Sequence, residues 1–254
     1  MLPYFFRHYD ELVDRYVFFD DGSTDSTLSI LKGHPKAEVR PLPRSEVDSY
    51  VLAAQAVHDT CWKESRGLAD WVITTAVDEL LYAPKFRAYL ETCSRNGVTA
   101  IPALGYQMLS RARPTSARSL VRSIKTGFPD PMFSKLSLFD PNKISETNHA
   151  VGRHSARPSG IVKFPDQDVL LNLHYKYLSF DYTLRRYSNL NNKLGAVDKE
   201  NRWGYQYAWT KDELEERWSI WERNSVENVF ARGYNPHLAH SKLTERWWRK
   251  PAVD

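Results

Sequence analysis

Apolar residues at Leu2, Phe5, Phe6, Tyr9, Leu12 and Val13 recur at helical spacing, which predicts an amphipathic helix at the start of the chain. Tyr16–Phe19 is a short unbroken apolar run, long enough for a buried strand. It stops at Asp20-Asp21-Gly22-Ser23-Thr24-Asp25, a stretch that favours a turn and caps a helix over Thr24–Leu31. A strand through Val39, closed by Pro41 and Pro43, and a helix over Asp48–Glu64 follow. Trp71–Thr75 reads as another buried strand and runs out at Asp78-Glu79. A helix over Phe86–Cys93 and a strand over Val98–Leu104 come next.

Ser110–Pro131 is rich in Arg, Ser, Thr and Pro without a clean period, the pattern of a long loop suited to a lid. Lys135–Phe139 and Val169–Tyr177 read as strands, Tyr182–Val197 and Lys211–Phe230 as helices. Strands alternating with helices predict an α/β fold with a Rossmann-like, mostly parallel central sheet flanked by helices and a helical C-terminal portion. Such sheets bind ligands in the crevice outside the carboxyl ends of their strands, and both acidic clusters fall at that edge. No repeat, linker-like stretch or composition shift divides the 254 residues, so one domain is expected.

Composition narrows the partners. A formal net charge of +4 with scattered basic residues suits phosphorylated ligands and argues against nucleic acid, which calls for a concentrated basic face. Cys61 and Cys93 stand far apart without a partner motif and read as buried thiols of a reducing compartment. No apolar run reaches the ~18 residues of a membrane span, and the charged N-terminus is unlike a signal peptide. The expectation is a cytoplasmic protein, with room for work beside the inner face of a membrane.

Two constellations carry candidate chemistry. In Val17–Asp25, carboxylates at a strand end can accept hydrogen bonds from ribose hydroxyls or a base N–H, and the Gly-Ser-Thr turn brings backbone donors near a ligand. The same residues also make an ordinary turn and helix cap. In Asp70–Leu81, the acidic pair Asp78-Glu79 follows a buried strand and is placed to hold a divalent cation against a diphosphate. The alternative there is a helix N-terminus, where acids complement the dipole.

Taken together, these motifs resemble the family-2-like glycosyltransferases of the GT-A fold. The resemblance runs from Leu2-Pro3-Tyr4-Phe5-Phe6-Arg7-His8-Tyr9 through Asp20–Asp25 and Trp71–Glu79 to Asn172-Leu173-His174-Tyr175-Lys176-Tyr177 and Arg185-Arg186. It implies a single GT-A-like domain over 1–254, with 1–105 holding the nucleotide sugar and 106–254 forming the acceptor side and the helical C-terminal half. It implies that Asp20 and Asp21 contact the nucleoside and that Asp78 reaches a Mn²⁺ or Mg²⁺ ion or the diphosphate. Glu79 would support the metal or the sugar, and His174 would complete the metal site. Lys176, Arg185 and Arg186 would neutralise the leaving diphosphate, where charge grows in the transition state. Two departures stand out. Ala76 occupies the first acidic position of the family's Asp-x-Asp motif, and relatives open with a strand ending in an Arg-Asn-Glu-like motif, whereas this chain opens at Leu2-Pro3.

An inverting transfer needs a group to take the proton from the acceptor hydroxyl. Glu146 and His154 are the candidates, with His149 in reserve, all after the Lys135–Phe139 strand. The expected function is transfer of a sugar from a nucleotide-diphosphate sugar to a hydroxyl of a glycan, glycolipid or small molecule. The alternative, which Ala76 favours, is a catalytically weak protein of this fold that binds a nucleotide sugar or a protein partner. A nucleotidyltransferase would want a glycine-rich phosphate loop, and none is visible.

Overall fold

The computed structural model describes residues 1–44, 48–115 and 118–250. The chain opens with α1 (Leu2–Tyr9), which Pro3 begins and whose Leu2, Tyr4, Phe5, Phe6 and Tyr9 are buried. Then come β1 (Tyr16–Asp20), α2 (Thr27–Lys32), β2 (Ala37–Pro41) and α3 (Tyr50–Thr60), continued by a 3₁₀ turn over Cys61–Ser65. Next are β3 (Val72–Ile73), β4 (Glu79–Tyr82), α4 (Phe86–Arg95), β5 (Ala100–Ser110), α5 (Leu120–Ser123) and β6 (Gly127–Pro129). A 3₁₀ turn over Pro131–Phe133 leads into β7 (Lys135–Phe139), β8 (Ile144–Glu146), β9 (Ser159–Gly160) and β10 (Leu171–Leu178). The C-terminal part holds α6 (Phe180–Asn191), α7 (Ala196–Glu200), α8 (Lys211–Asn224) and α9 (Pro236–Ser241).

The fold is mixed α/β, but its main sheet is not mostly parallel as the alternation of elements suggested. Its strands run in the order β3-β7-β5-β10-β4, with β6 also on β5. Only β5 and β10 pair in parallel there, while β3–β7, β5–β7, β5–β6 and β4–β10 are antiparallel. The reason lies in the connections. Parallel neighbours need a crossover element, whereas β5 reverses through 111–126 into β6, and β7, entered after the 131–133 turn, keeps that reversed direction. The second parallel pair, β1 with β2, is joined by α2 and forms a separate two-stranded sheet.

Other expectations shift at their edges. Glu79–Tyr82, read only as the acidic end of a strand, is itself a buried strand. The helix expected over Tyr182–Val197 breaks between α6 and α7, and the expected loop at Ser110–Pro131 contains α5 and β6, with residues 116–117 outside the described residues. β5 runs through residue 105, so the two expected halves share one strand. Cys93 is buried and Cys61 half-buried, both free. No helix among the described residues is long and apolar enough to cross a membrane.

Two local devices position the site. At Gly105, one edge of β5 passes from pairing with β7 to pairing with β6. A side chain there would run into the backbone of Phe133 and Asp130. The glycine lets the 131–133 turn lie directly on the sheet, fastened by Asp130 N–H to Gly105 O at 2.9 Å and Gly105 N–H to Ser134 Oγ at 3.0 Å. At the far end of β10, Ser179 adopts φ +116° and its hydroxyl caps α6 by accepting from Tyr182 N–H. The sharp turn folds α6 back over β10, which brings Arg186 to the strand ends.

A third device ties the C-terminal half to α3. Asp198 is fully buried and accepts from Ser49 Oγ, from Tyr50 N–H at 2.8 Å and from Gly195 N–H at 3.1 Å. One carboxylate thereby satisfies orphan donors at the start of α3 from 149 residues away. Gly105→Ala should cost about 1–3 kcal/mol in chemical denaturation, the range for overpacking a tight interior. It should also lift the 131–133 turn, read as a changed environment for Phe133; an unaltered midpoint would show that the sheet relaxes around the methyl.

Candidate functional site

Asp78 and Glu79 are consecutive, each 2% exposed, and their side chains turn to different partners. Asp78 Oδ2 lies 2.6 Å from Arg186 Nη1 and 3.4 Å from His174 Nε2. Burial acts to raise the Asp78 carboxyl pKa, but the Arg186 charge foremost, with His174 beside it, outweighs it and holds the group well below the usual carboxylate range. The Arg186 contact is ionic and poorly aligned, so Nη1, itself buried, has no directed hydrogen-bond acceptor. Glu79 Oε1 takes Lys135 Nζ at 2.5 Å, and Oε2 lies 3.9 Å from Arg153 Nη1. Burial again raises the pKa, and Lys135 and Arg153 overcome it. Glu79 is thereby committed to its own ion pairs and is not turned toward a metal or sugar beside Asp78.

His174 is set by three neighbours. Its ring stacks on Phe133, centroids 4.4 Å apart, its Nδ1 lies 2.8 Å from Gln107 Oε1, and its Nε2 faces Asp78. Lys176, two residues on, is 5% exposed. Its ammonium sits 4.7 Å and 4.8 Å from the ring centres of Tyr207 and Tyr187, on aromatic faces that attract a cation. Burial first, then the nearby Arg186 charge, bring the Lys176 pKa down to about 7. Arg185 is exposed on α6, while Arg186 turns inward.

The first acidic motif faces the same region. Asp20 closes its own turn by accepting Ser23 N–H at 3.0 Å. Asp21 is gripped by Arg44 through two bonds of 2.8 and 2.7 Å, with Lys193 Nζ 3.6 Å away. The Arg44 bonds hold the Asp21 carboxyl below its ordinary value. Tyr50, at the start of α3, joins the two motifs. Burial foremost raises its pKa, and its hydroxyl also feels the charges of Arg186, Asp78, Asp21 and Arg44.

The candidate bases fare differently. Glu146 lies on the β8–β9 hairpin, half exposed, with both oxygens on Lys63 Nζ, apart from the Asp78 cluster. His149 is buried with Nδ1 2.8 Å from Asp59 and Nε2 3.2 Å from the Leu136 carbonyl. Both ring nitrogens are thereby engaged inside the protein, and neither is turned toward a substrate hydroxyl. His154 is one ring removed from His174: it meets Phe133 edge-on at 5.8 Å, and Phe133 stacks on His174. Its Nδ1 is hydrogen-bonded to the Met132 carbonyl, and burial lowers its pKa. The neutral ring therefore keeps an unprotonated Nε2.

Gln107, Asp130, Phe133, Arg44, Tyr50, Tyr187 and Tyr207 complete the site without having been singled out in the sequence. They are scattered along the chain and share no motif. Among the described residues, no three His, Cys, Asp or Glu side chains converge to hold a metal by themselves. A cavity of about 550 Å³ lined by Tyr82, Phe230, Tyr234 and His237 opens at the other end of the β4–β10 pair. It contains none of the Asp78 cluster, so we place the candidate site at the strand ends.

Asp78, whose native carboxyl is held low, contributes stability that is complete above the unfolded carboxylate value of about 4 and drains away as pH falls below it. Asp78→Asn should cost roughly 3 kcal/mol at pH 7, by leaving Arg186 without its counter-charge, and should flatten the stability profile below pH 4. Denaturation across a pH series checks both, and an unchanged acid limb would remove Asp78 from the network. Lys176 has the opposite sign. Its native ammonium form is disfavoured, so Lys176→Met should raise the melting temperature at pH 7, and that advantage should shrink as pH climbs toward 10. No protein-family model matches this chain, and no curated protein matches it.

Proposed function

We propose that the chain binds a nucleoside-diphosphate sugar at the carboxyl ends of β1 and β10, and that it transfers the sugar to a hydroxyl. In this role the mixed sheet and its flanking helices serve as a variant of the GT-A type. The observation that carries it is the meeting of both acidic motifs around Tyr50, with Lys176 buried and Arg186 turned inward beside them. A guanidinium and an ammonium side by side suit an incoming diphosphate, whose oxygens accept from both. The carboxylates at the end of β1 suit ribose hydroxyls.

The donor set also fits a divalent cation in part. Asp78 Oδ2 and His174 Nε2 are 3.4 Å apart, close enough to share one ion, and oxygen-loving cations commonly take their remaining ligands from phosphate and water. Ala76 offers nothing, and Arg186 already stands on the same oxygen, so an ion there shares Asp78 with the guanidinium. When bound, it would supply electrostatic stabilisation of the departing diphosphate. The chain's own residues do the rest. Arg186 and Lys176 take up negative charge as the leaving group separates, and the tyrosines around Lys176 keep water from it. His154 is the group we assign to accept the acceptor's proton, at Nε2.

The test is a thermal-shift panel of nucleoside diphosphates and nucleotide sugars, each with and without Mn²⁺, on wild type and Arg186→Met. A ligand that binds only the native state stabilises it by about 2.7 kcal/mol at a concentration of 100 Kd. One nucleotide series should raise the wild-type melting temperature by several degrees, and the shift should largely vanish in Arg186→Met. Stabilisation without sugar turnover would favour the second reading, a binding protein, which Ala76 supports. No shift with any nucleotide would overturn the proposal.

A further inference from the structure

His174 belongs to a hydrogen-bonded series that crosses the sheet. Asp130 closes the turn before Pro131–Phe133, its Oδ1 accepting Met132 N–H at 3.1 Å and its Oδ2 accepting Gln107 Nε2–H at 2.9 Å. Gln107 Oε1 then lies 2.8 Å from His174 Nδ1, and His174 Nε2 lies 3.4 Å from Asp78 Oδ2. All four side chains are on different segments. Gln107 is on β5 and His174 on β10, and the two residues pair across the parallel ladder.

The orientation of each group follows from what the next can do. A carboxylate only accepts, so the Gln107 amide must present its NH₂ to Asp130. Its oxygen is thereby turned to His174 and also only accepts, so the His174 proton must sit on Nδ1. In the neutral ring, Nε2 then carries a lone pair, and that lone pair faces the oxygen of Asp78. Left alone, a histidine beside a carboxylate would put its proton between them, on Nε2. The series enforces the opposite, an arrangement favourable only when a cation or an added proton lies between Nε2 and Asp78.

We infer that Gln107 and Asp130 are positioning residues that lock His174 in the Nδ1–H tautomer, keeping its Nε2 lone pair turned to the strand-end site. Phe133 and Gly105 serve the same end. The glycine seats the turn that carries Asp130, and the Phe133 ring stacked on His174 fixes the imidazole plane. Outer partners that hold the far nitrogen of a ligating histidine tune its affinity for a metal. The use made of this lone pair rests on the proposed donor site; the tautomer itself does not.

The experiment is nitrogen NMR of the imidazole side chains in ¹⁵N-histidine-labelled full-length protein without ligand, the His174 signals being assigned by their loss in His174→Asn. The pH is raised until the ring is neutral. Wild type should show the protonated-nitrogen signature at Nδ1 and the lone-pair signature at Nε2. A neutral ring with its proton on Nε2 would overturn the inference without any variant. Gln107→Leu removes the acceptor, and the proton should move to Nε2, toward Asp78. The double variant Gln107→Glu, Asp130→Asn exchanges carboxylate and amide, still offers His174 an acceptor, and should restore the Nδ1–H signature. An unchanged tautomer in Gln107→Leu, or no restoration in the double variant, would each refute the lock. Addition of Mn²⁺ gives a separate readout: broadening of the His174 signal should need roughly tenfold more ion in Gln107→Leu and recover in the double variant. Absence of broadening in wild type would count against the metal in the donor site and leave the tautomer result standing.

Discussion

Two consecutive carboxylates inside a protein impose a condition that the surrounding structure must meet. Asp78 and Glu79 cannot share one cation, because neighbouring side chains at a strand start point to opposite sides. Each therefore requires its own set. Lys135 from β7 and Arg153 from the turn after β8 serve Glu79, while His174 from β10 and Arg186 from α6 serve Asp78. Buried ion pairs of this kind add little net stability, since desolvation cancels most of the attraction, yet removing one partner is expensive. Their effect is to specify which strands stand beside which. The mixed sheet order puts β7 and β10 on the two edges of β5 and so delivers one set of cations to each carboxylate.

The cost of that arrangement is visible in the backbone. Asn148 and Arg153 both take left-handed conformations, at φ +48° and +63°, where side chains other than glycine are strained. What holds Arg153 there is its guanidinium, which reaches the Thr74 carbonyl at 2.7 Å and Ser137 Oγ at 2.8 Å besides approaching Glu79. His149, first considered as a base, belongs to the same anchoring. With Asp59 on one nitrogen and the Leu136 carbonyl on the other, it clamps this segment between α3 and β7. The residues after β8 thus act mainly as a strap over Glu79. His154, at the strap's end, meets the edge of Phe133, the ring that stacks on His174.

How much of this was legible in the letters depends on the range of the interaction. Helices and strands with a local signature were readable. The apolar spacing of α1, the run before Asp20 and the strand at Lys135–Phe139 all stand where periodicity put them. Asp78, His174 and Arg186 were also readable, as members of short motifs, and they meet. Sheet direction was not readable, because an excursion through β6 and a helical crossover leave similar spacing between apolar runs. Nor was the partner of each charge. Glu79 looks like a ligand in sequence, and only the position of Lys135, 56 residues later, shows that it is already neutralised. Asp130 and Gln107 carry no motif, and their role exists only once β5 and β10 pair in one register.

The asymmetry between the two carboxylates then explains why chemistry is expected on one side alone. Glu79 is closed, with a lysine at hydrogen-bond distance and both cationic partners buried. Asp78 is matched less completely: its arginine is a quarter exposed and poorly aligned, and its histidine presents a lone pair in the neutral state. Incomplete satisfaction of a buried charge is costly unless a ligand completes it. The Lys176 ammonium, resting on tyrosine faces, adds a second group that an incoming anion can satisfy. A polyanion beside Arg186 and Lys176, with a cation between His174 and Asp78, would complete every one of these groups together. That common solution, more than any single contact, is the reason for proposing the strand ends of β1 and β10 as the place where this chain meets a ligand.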